Sequence, residues 1–287
     1  MCLLFLLVNN NAKTDEYKLV LVNNRDEYWK RPTKLADFWA KDLNCISGLD
    51  EEPGREGGTW LGMNKNGRIG ILLNIFGEMH PNKKGRGFLV SDFISSTEDP
   101  KDYISKISSD KSSYNGFHLI LLDHSKGHYN MNYFTNFDED NLSNKLNREE
   151  CIGISNSPYH KPWQKVCNGQ PQFRSVINQY PRTKEKDQVI DGLFNLMLDR
   201  TLLYPDPVLI KMAEENCHKL SDESVLKQRS ALCVCCPTIE YGTRTTTIIL
   251  VSGSGECNYI EKTLVAPFNP DDPQYITKSH QFNLTPE

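Results

Sequence analysis

The chain has 287 residues, a formal net charge of −4, 38% hydrophobic and 10% aromatic residues, and 9 cysteines. The charge balance gives no sign of nucleic acid or an anionic membrane as the main partner, and the aromatic content is too high for a disordered chain. At about 150 residues per domain the length allows one large domain or two small ones; without a clear linker, the expectation is a single domain over 1–287 with a polar, Pro-rich tail from about 266.

The first apolar run, 2–8, is far shorter than the ~20 residues of a transmembrane helix. It follows Met1 directly and ends in Asn9-Asn10-Asn11, unlike a signal peptide. It reads as a buried strand in a hairpin with 17–23. Pro32 breaks the chain, 33–40 reads as a short helix, and Gly48, Pro53, Gly54, Gly57 and Gly58 mark a loop over 47–58. Strands at 59–63 and 68–75 flank Asn66-Gly67, a type I′ turn signal. Helices follow at 88–96 and 100–108, the second opened by Asp99-Pro100. A strand pair at 116–122 and 128–134 surrounds Ser125-Lys126-Gly127. An acidic, Asn-rich loop leads to a short strand at 151–155.

Helices are expected at 161–180 and 186–200, where Val189, Ile190, Leu193, Phe194, Met197 and Leu198 recur at a helical period. A further short helix follows at 208–218. Strands return at 231–236, 244–251 and 256–264, with a last strand-like piece near 280–284. Hairpin-linked strands and helices in blocks define an α+β class, with helices covering two stacked antiparallel sheets.

Several groups can carry chemistry. Cys2 heads the first strand, and its small side chain permits removal of Met1. Cleavage would place a thiol and an α-amine on one carbon, with reference pKa values of about 8.5 and 7.7–8. One residue would then be nucleophile and base; the alternative is a small buried core cysteine. The run Asn23-Asn24-Arg25-Asp26-Glu27 ends the second strand. Arg25 can favour a thiolate and Asp26 can hold an ammonium, or the run is a solvated turn. Gly54–Thr59 and Lys83–Gly87 carry glycines beside basic residues, suited to an anion cradle or to tight basic turns. Asn156 in Ser155-Asn156-Ser157-Pro158 can donate to an oxyanion or simply turn the chain, and Arg244 opens a Thr-rich strand. Cys233, Cys235 and Cys236 lack the second Cys/His pair of a zinc site. Cys236-Pro237 is similar to a short haem-responsive dipeptide. The odd, scattered cysteines suit free thiols in a reducing compartment, with the cytosol as default address and an organelle matrix open.

In order along the chain stand Met1-Cys2, Asn24-Arg25-Asp26-Glu27, Arg31-Pro32, Phe38-Trp39, Gly57-Gly58-Thr59-Trp60-Leu61-Gly62, Asn74, Gly85-Arg86-Gly87, Ser155-Asn156, Pro162-Trp163 and Tyr241-Gly242-Thr243-Arg244-Thr245. Together they resemble the transport and Golgi organisation protein 2 family, also called the NRDE family. The resemblance implies an N-terminal-nucleophile hydrolase-like, four-layer αββα sandwich. Carried over from the bile-salt hydrolase branch of that superfamily, it implies Cys2 as nucleophile and its amine as base. Arg25 and Asp26 would orient them, Asn74 and Asn156 hold the oxyanion, and Arg244 complete the charge network. In those hydrolases Arg precedes Asp by three residues, whereas Arg25 and Asp26 are adjacent and so point to opposite faces of a strand.

The family resemblance further implies Golgi organisation, protein secretion, and haem and lipid or acyl-CoA homeostasis, in the cytoplasm, mitochondrion or Golgi. No cofactor is required; haem enters as cargo, and a haem or acyl/lipid-like small molecule is the expected ligand, with no nucleic acid and no transmembrane segment. The alternative is a Cys2-dependent amidase or thioesterase acting on a small acyl substrate.

Overall fold

The computed structural model describes residues 2–137, 151–216 and 222–285. The chain is a mixed α+β protein with two antiparallel sheets, divided between two compact, interleaved units. The first comprises Met1–Lys30, Phe76–Glu78 and Glu150–Gln281; the second comprises Arg31–Ile75, Met79–Glu149 and Phe282–Glu287. Each supplies one sheet and helices packed on it.

In the first unit, β1 (Cys2–Val8) and β2 (Tyr17–Tyr28) form the expected N-terminal hairpin, in register from Cys2 opposite Arg25 to Val8 opposite Leu19. Their pairing places them beside β9 (Cys151–Ile154), β11 (Tyr241–Ser252), β12 (Glu256–Leu264) and β13 (Tyr275–Asn283), in the order β13-β12-β11-β2-β1-β9. A two-residue strand, β10 (Cys235–Cys236), pairs with β11. One face of the sheet is covered by α3 (Gln164–Gln179) and α4 (Lys186–Met197). Leu3, Phe5, Val20, Val22, Ile248 and Leu250 meet Val166, Phe173, Val189 and Leu193 there in one core. The Phe5 and Phe173 rings stack with centroids 5.6 Å apart. Helices α5 (Pro207–Asn216) and α6 (Glu223–Arg229) complete the unit.

The second unit orders its strands β3-β4-β5-β6-β7-β8. These are β3 (Thr33–Trp39), β4 (Asp42–Asp50), β5 (Leu61–Asn64), β6 (Ile69–Asn74), β7 (Phe117–Ser125) and β8 (His128–Thr135). Helices α1 (Phe88–Ser95) and α2 (Pro100–Ser109) lie between β6 and β7 in sequence. Leu72, Leu119 and Leu121 pack with Leu89, Val90, Phe93 and Ile94 of α1. The Asp99 side chain caps α2 by accepting from the Lys101 backbone, with Pro100 at its first position, as the Asp-Pro signal requires. The chain reverses at both turn signals, but only Lys126-Gly127, with φ 49° and 75°, has the positive φ at both residues that a type I′ turn needs. At Asn66-Gly67 only Gly67 does, at 86°, and its N–H donates to the Asn64 carbonyl, so the expected type I′ geometry is not formed there.

Four expectations are corrected. The segment 33–40 is not a helix but β3, because pairing with β4 overrides the helical preference of Leu35 and Ala36. The loop at 47–58 begins only after Asp50, since β4 runs through Ser47 and Gly48. The strand expected over 231–236 is reduced to Cys235–Cys236, and the helix before it, α6, carried too short a periodic pattern to be read. The turn expected at Asn23–Glu27 is the continuation of β2, with Asn23, Asn24, Arg25 and Asp26 buried. The tail is ordered at its end by β13, longer than the expected piece at 280–284. The Asn-rich loop before Cys151 and the last residues of the helix expected over 208–218 fall outside the described residues.

Gly169 tests the packing of α3 on β1. A Cβ there would meet Phe5 Cζ at 2.5 Å. Helix propensity alone favours Ala by about 1 kcal/mol, but displacing a stacked ring in a packed core costs about 1–3 kcal/mol. Gly169→Ala is therefore expected to lower the urea midpoint, and a raised midpoint would contradict this packing.

Candidate functional site at the head of the first strand

The site forms where β1 begins. The Cys2 backbone nitrogen donates to Asn156 Oδ1 at 2.6 Å, and Ser155 Oγ donates to the Cys2 carbonyl at 3.2 Å. The segment after β9 thus grips the residue that heads β1. Asn156 presents its carbonyl end to this nitrogen; its Nδ2 is the end that can donate to an oxyanion. Cys2 is buried, and burial pushes its thiol above the ordinary value. The Asp26 charge adds to that rise, while the Asp26 backbone N–H and the Arg25 charge oppose it.

Register and alternation divide the Asn-Asn-Arg-Asp run between the two faces of the sheet. Arg25 stands directly opposite Cys2 and shares its face; its guanidinium lies 3.9 Å from Glu27. Asn24 and Asp26 take the face that carries the helices. Asn24 Nδ2 donates to the carbonyls of Met197 and Leu232 at 2.7 and 3.1 Å, and its Oδ1 accepts from Thr246 Oγ1 at 2.7 Å. Asn23 Nδ2 donates to the Leu3 carbonyl at 3.0 Å. Both asparagines therefore stitch backbone together.

Asp26 Oδ1 accepts from Thr243 Oγ1 at 2.6 Å, and Thr243 Oγ1 accepts from the Val234 backbone N–H at 2.9 Å. Tyr241 OH donates to the Asp26 carbonyl at 3.0 Å. Burial raises the carboxyl of Asp26, opposed first by the positive charge of the chain terminus, then by Lys165, the Thr243 hydrogen bond and Arg229. Sequence reasoning missed Lys165, Arg229 and Thr243 as partners. Arg229 is buried at the end of α6, its guanidinium 5.2 Å from the Phe76 ring centroid and 5.4 Å from that of Tyr241. Lys165 had a legible signal: it shares a four-residue spacing with Gly169, Phe173 and Ile177, the buried stripe of α3.

Of the expected site residues, the structure brings together Cys2, Arg25, Asp26 and Asn156. Arg244 sits at an irregularity of β11, where the register with β2 shifts between Thr243 and Thr245, and its Nη1 donates to the Tyr28 carbonyl at 3.4 Å. Tyr28 is the last residue of β2, three beyond Arg25. Asn74 ends β6 in the second unit, opposite Phe117. Among the described residues the cysteines are free thiols, no group of three or more His, Cys, Asp or Glu side chains is arranged to hold a metal ion, and no helix is long and apolar enough to cross a membrane.

These features define an α+β protein whose first strand offers a cysteine and that residue's own nitrogen to a buried polar cluster. The chain belongs to the Transport and Golgi organisation 2 family, whose profile matches residues 1–266. It is 33% identical over 288 residues to the Mus musculus Transport and Golgi organization 2 homolog, covering 99% of each chain. The Homo sapiens homolog gives the same identity, length and coverage. A solved Caenorhabditis elegans ortholog of N-acylethanolamine-hydrolyzing acid amidase aligns at 7% identity with a TM-score of 0.39, over 88% of this chain and 93% of that one.

Two measurements test the geometry. Thr243→Val removes the donor to Asp26 and the acceptor for Val234, and is expected to cost about 1–3 kcal/mol in denaturant unfolding. Because burial raises the Cys2 thiol and only the thiolate reacts, iodoacetamide at neutral pH is expected to label exposed Cys167 well before Cys2. The Cys2 rate should still be climbing past pH 9; a plateau below that value, read by peptide mass, would contradict the assigned environment.

Proposed function

We propose that the protein serves Golgi organisation and protein secretion, and intracellular haem and lipid or acyl-CoA homeostasis, by handling an acyl-bearing small molecule at Cys2. The observation that carries this reading is the 2.6 Å hydrogen bond from the Cys2 nitrogen to Asn156 Oδ1, formed on the strand pair that also brings the Asp26 backbone N–H to the Cys2 sulfur. The names of the family and of its mouse and human members support the transport and Golgi part of this role. The cytoplasm is the proposed compartment, with association at the Golgi or mitochondrion.

Removal of Met1 turns the Cys2 peptide nitrogen into an α-amine. In its neutral form that amine takes the thiol proton, and the thiolate attacks the carbonyl carbon of a thioester or amide. The S–C bond forms and negative charge passes to the carbonyl oxygen, to which Asn156 Nδ2 would donate. The leaving thiolate or amine departs with the proton held by the α-ammonium, and the acyl group stays on Cys2.

Turnover is the second reading, favoured by the buried Asp26 carboxyl that Thr243 holds at the chain start. Water would hydrolyse the acyl-Cys2 thioester, making the protein an amidase or thioesterase. In the carrier reading, haem or a lipid-like ligand is bound and released without a covalent step.

Intact-mass spectrometry of the purified protein, before and after exposure to octanoyl-CoA, separates these readings. Acyl handling at Cys2 requires loss of Met1 and a gain of one octanoyl group on the N-terminal peptide, absent in Cys2→Ala. Continuous release of CoA thiol identifies turnover. A chain that retains Met1 and gains no mass would eliminate chemistry at Cys2. Haem binding, followed by its absorption band and unchanged in Cys2→Ala, would then identify a carrier.

A further inference from the structure

A lysine sealed inside the first turn of a helix needs a cause. Lys165 is the second residue of α3, where unpaired N–H groups and the helix dipole already present positive charge. It is wholly inaccessible, so its ammonium cannot reach water along the aliphatic stem in the usual manner. Nζ donates to the Ala231 carbonyl at 3.3 Å and lies 5.5 Å from the Trp163 ring centroid. One long hydrogen bond and one aromatic face do not offset the burial of an ammonium, which costs several kcal/mol. The helix itself does not need the charge, because Asp206 Oδ2 accepts from the Gln164 backbone N–H at 2.7 Å and caps this end.

The counter-charge is Asp26. The two are joined through the segment 231–234: Lys165 holds the carbonyl of Ala231, and the N–H of Val234 donates to Thr243, which donates to Asp26. Burial alone drives both groups toward neutrality, Asp26 up and Lys165 down, and each charge pulls the other back. The other groups facing the pair are the chain-terminal ammonium, the strongest charge on Asp26, Cys2 on β1, Arg229 on α6, Asp206 before α5, and Cys233 and Cys236 in the segment around β10.

We propose that Lys165 is a positioning residue of the chain-start site, its buried ammonium holding the Asp26 side chain as a carboxylate beside the head of β1, where it receives the α-ammonium of Cys2. The purpose of this arrangement rests on the acyl-handling reading; its test does not.

The test follows the carboxyl carbon of Asp26 by NMR against pH in protein carrying 13C-labelled aspartate, with the signal assigned by its loss in Asp26→Asn. Removing a nearby cation raises a carboxyl pKa, so Lys165→Met is expected to move the midpoint up by about one pH unit or more. Lys165→Arg, which keeps the charge, is expected to hold it within about 0.3 unit of the unaltered protein. An unchanged midpoint in Lys165→Met overturns the proposal.

If Lys165→Met does not fold, the double variant Lys165→Met/Asp26→Asn decides. Removing both charges leaves neither stranded, so recovery of a cooperative unfolding transition supports the pairing. Failure of the double variant to fold shows that Lys165 serves packing and overturns it. An absence of octanoyl transfer would sink the acyl reading while leaving the Asp26 titration as a full measure of Lys165, so the two failures are distinct.

Discussion

Burying the Asp26 carboxyl in the sheet, among the other buried polar side chains of β2 and β11, is the constraint that shapes the first unit. A carboxylate removed from water must find donors and counter-charge close by. They arrive from separate parts of the chain: Thr243 from β11, Lys165 from the start of α3 and Arg229 from the end of α6. Thr243 also accepts from the Val234 N–H and Lys165 also donates to the Ala231 carbonyl, so both tie the segment 231–234 to the site. Arg229, buried between Phe76 and Tyr241, shows the same economy, since the Tyr241 hydroxyl is itself tied to the Asp26 carbonyl.

The motif Asn23-Asn24-Arg25-Asp26 does not act as one patch. In a strand of period two its members part company, and register assigns each a task. Asn24 holds the end of α4 and the segment after α6 to the sheet, whereas Arg25 shares a face with Cys2. The adjacency of Arg25 and Asp26 is therefore compatible with both influencing Cys2. One does so from the same face, and the other through its backbone N–H and its charge.

What could be read in the sequence was whatever local chemistry decides. The hairpin at the chain start, the turns at Asn66-Gly67 and Lys126-Gly127, and the Asp99 cap all follow from neighbouring residues, and all are present. The segment 33–40 failed because its short pattern suits helix or strand equally, and a partner strand chose. Asn23–Asp26 failed for a related reason. Polarity says that a group needs hydrogen bonds, not that it needs water, and the partners of Asn24 and Asp26 lie more than a hundred residues away. Cys2, Asp26 and Asn156 were legible as candidates through their motif. Lys165 stood in plain sight on an apolar stripe, but nothing local says what a buried ammonium is for.

The order of the strands sets a timetable for synthesis. β1 and β2 leave the ribosome first and pair at once, yet both outer edges of that hairpin must wait. β1 finds β9 only after residue 151, and β2 finds β11 only after residue 241. Until then two rows of unpaired peptide groups and an apolar strand stand open, the state in which sheets recruit strangers. The newborn chain therefore needs shelter for most of its translation, and a protein cut short before β11 would keep its cysteine while lacking the strand that brings Thr243 to Asp26.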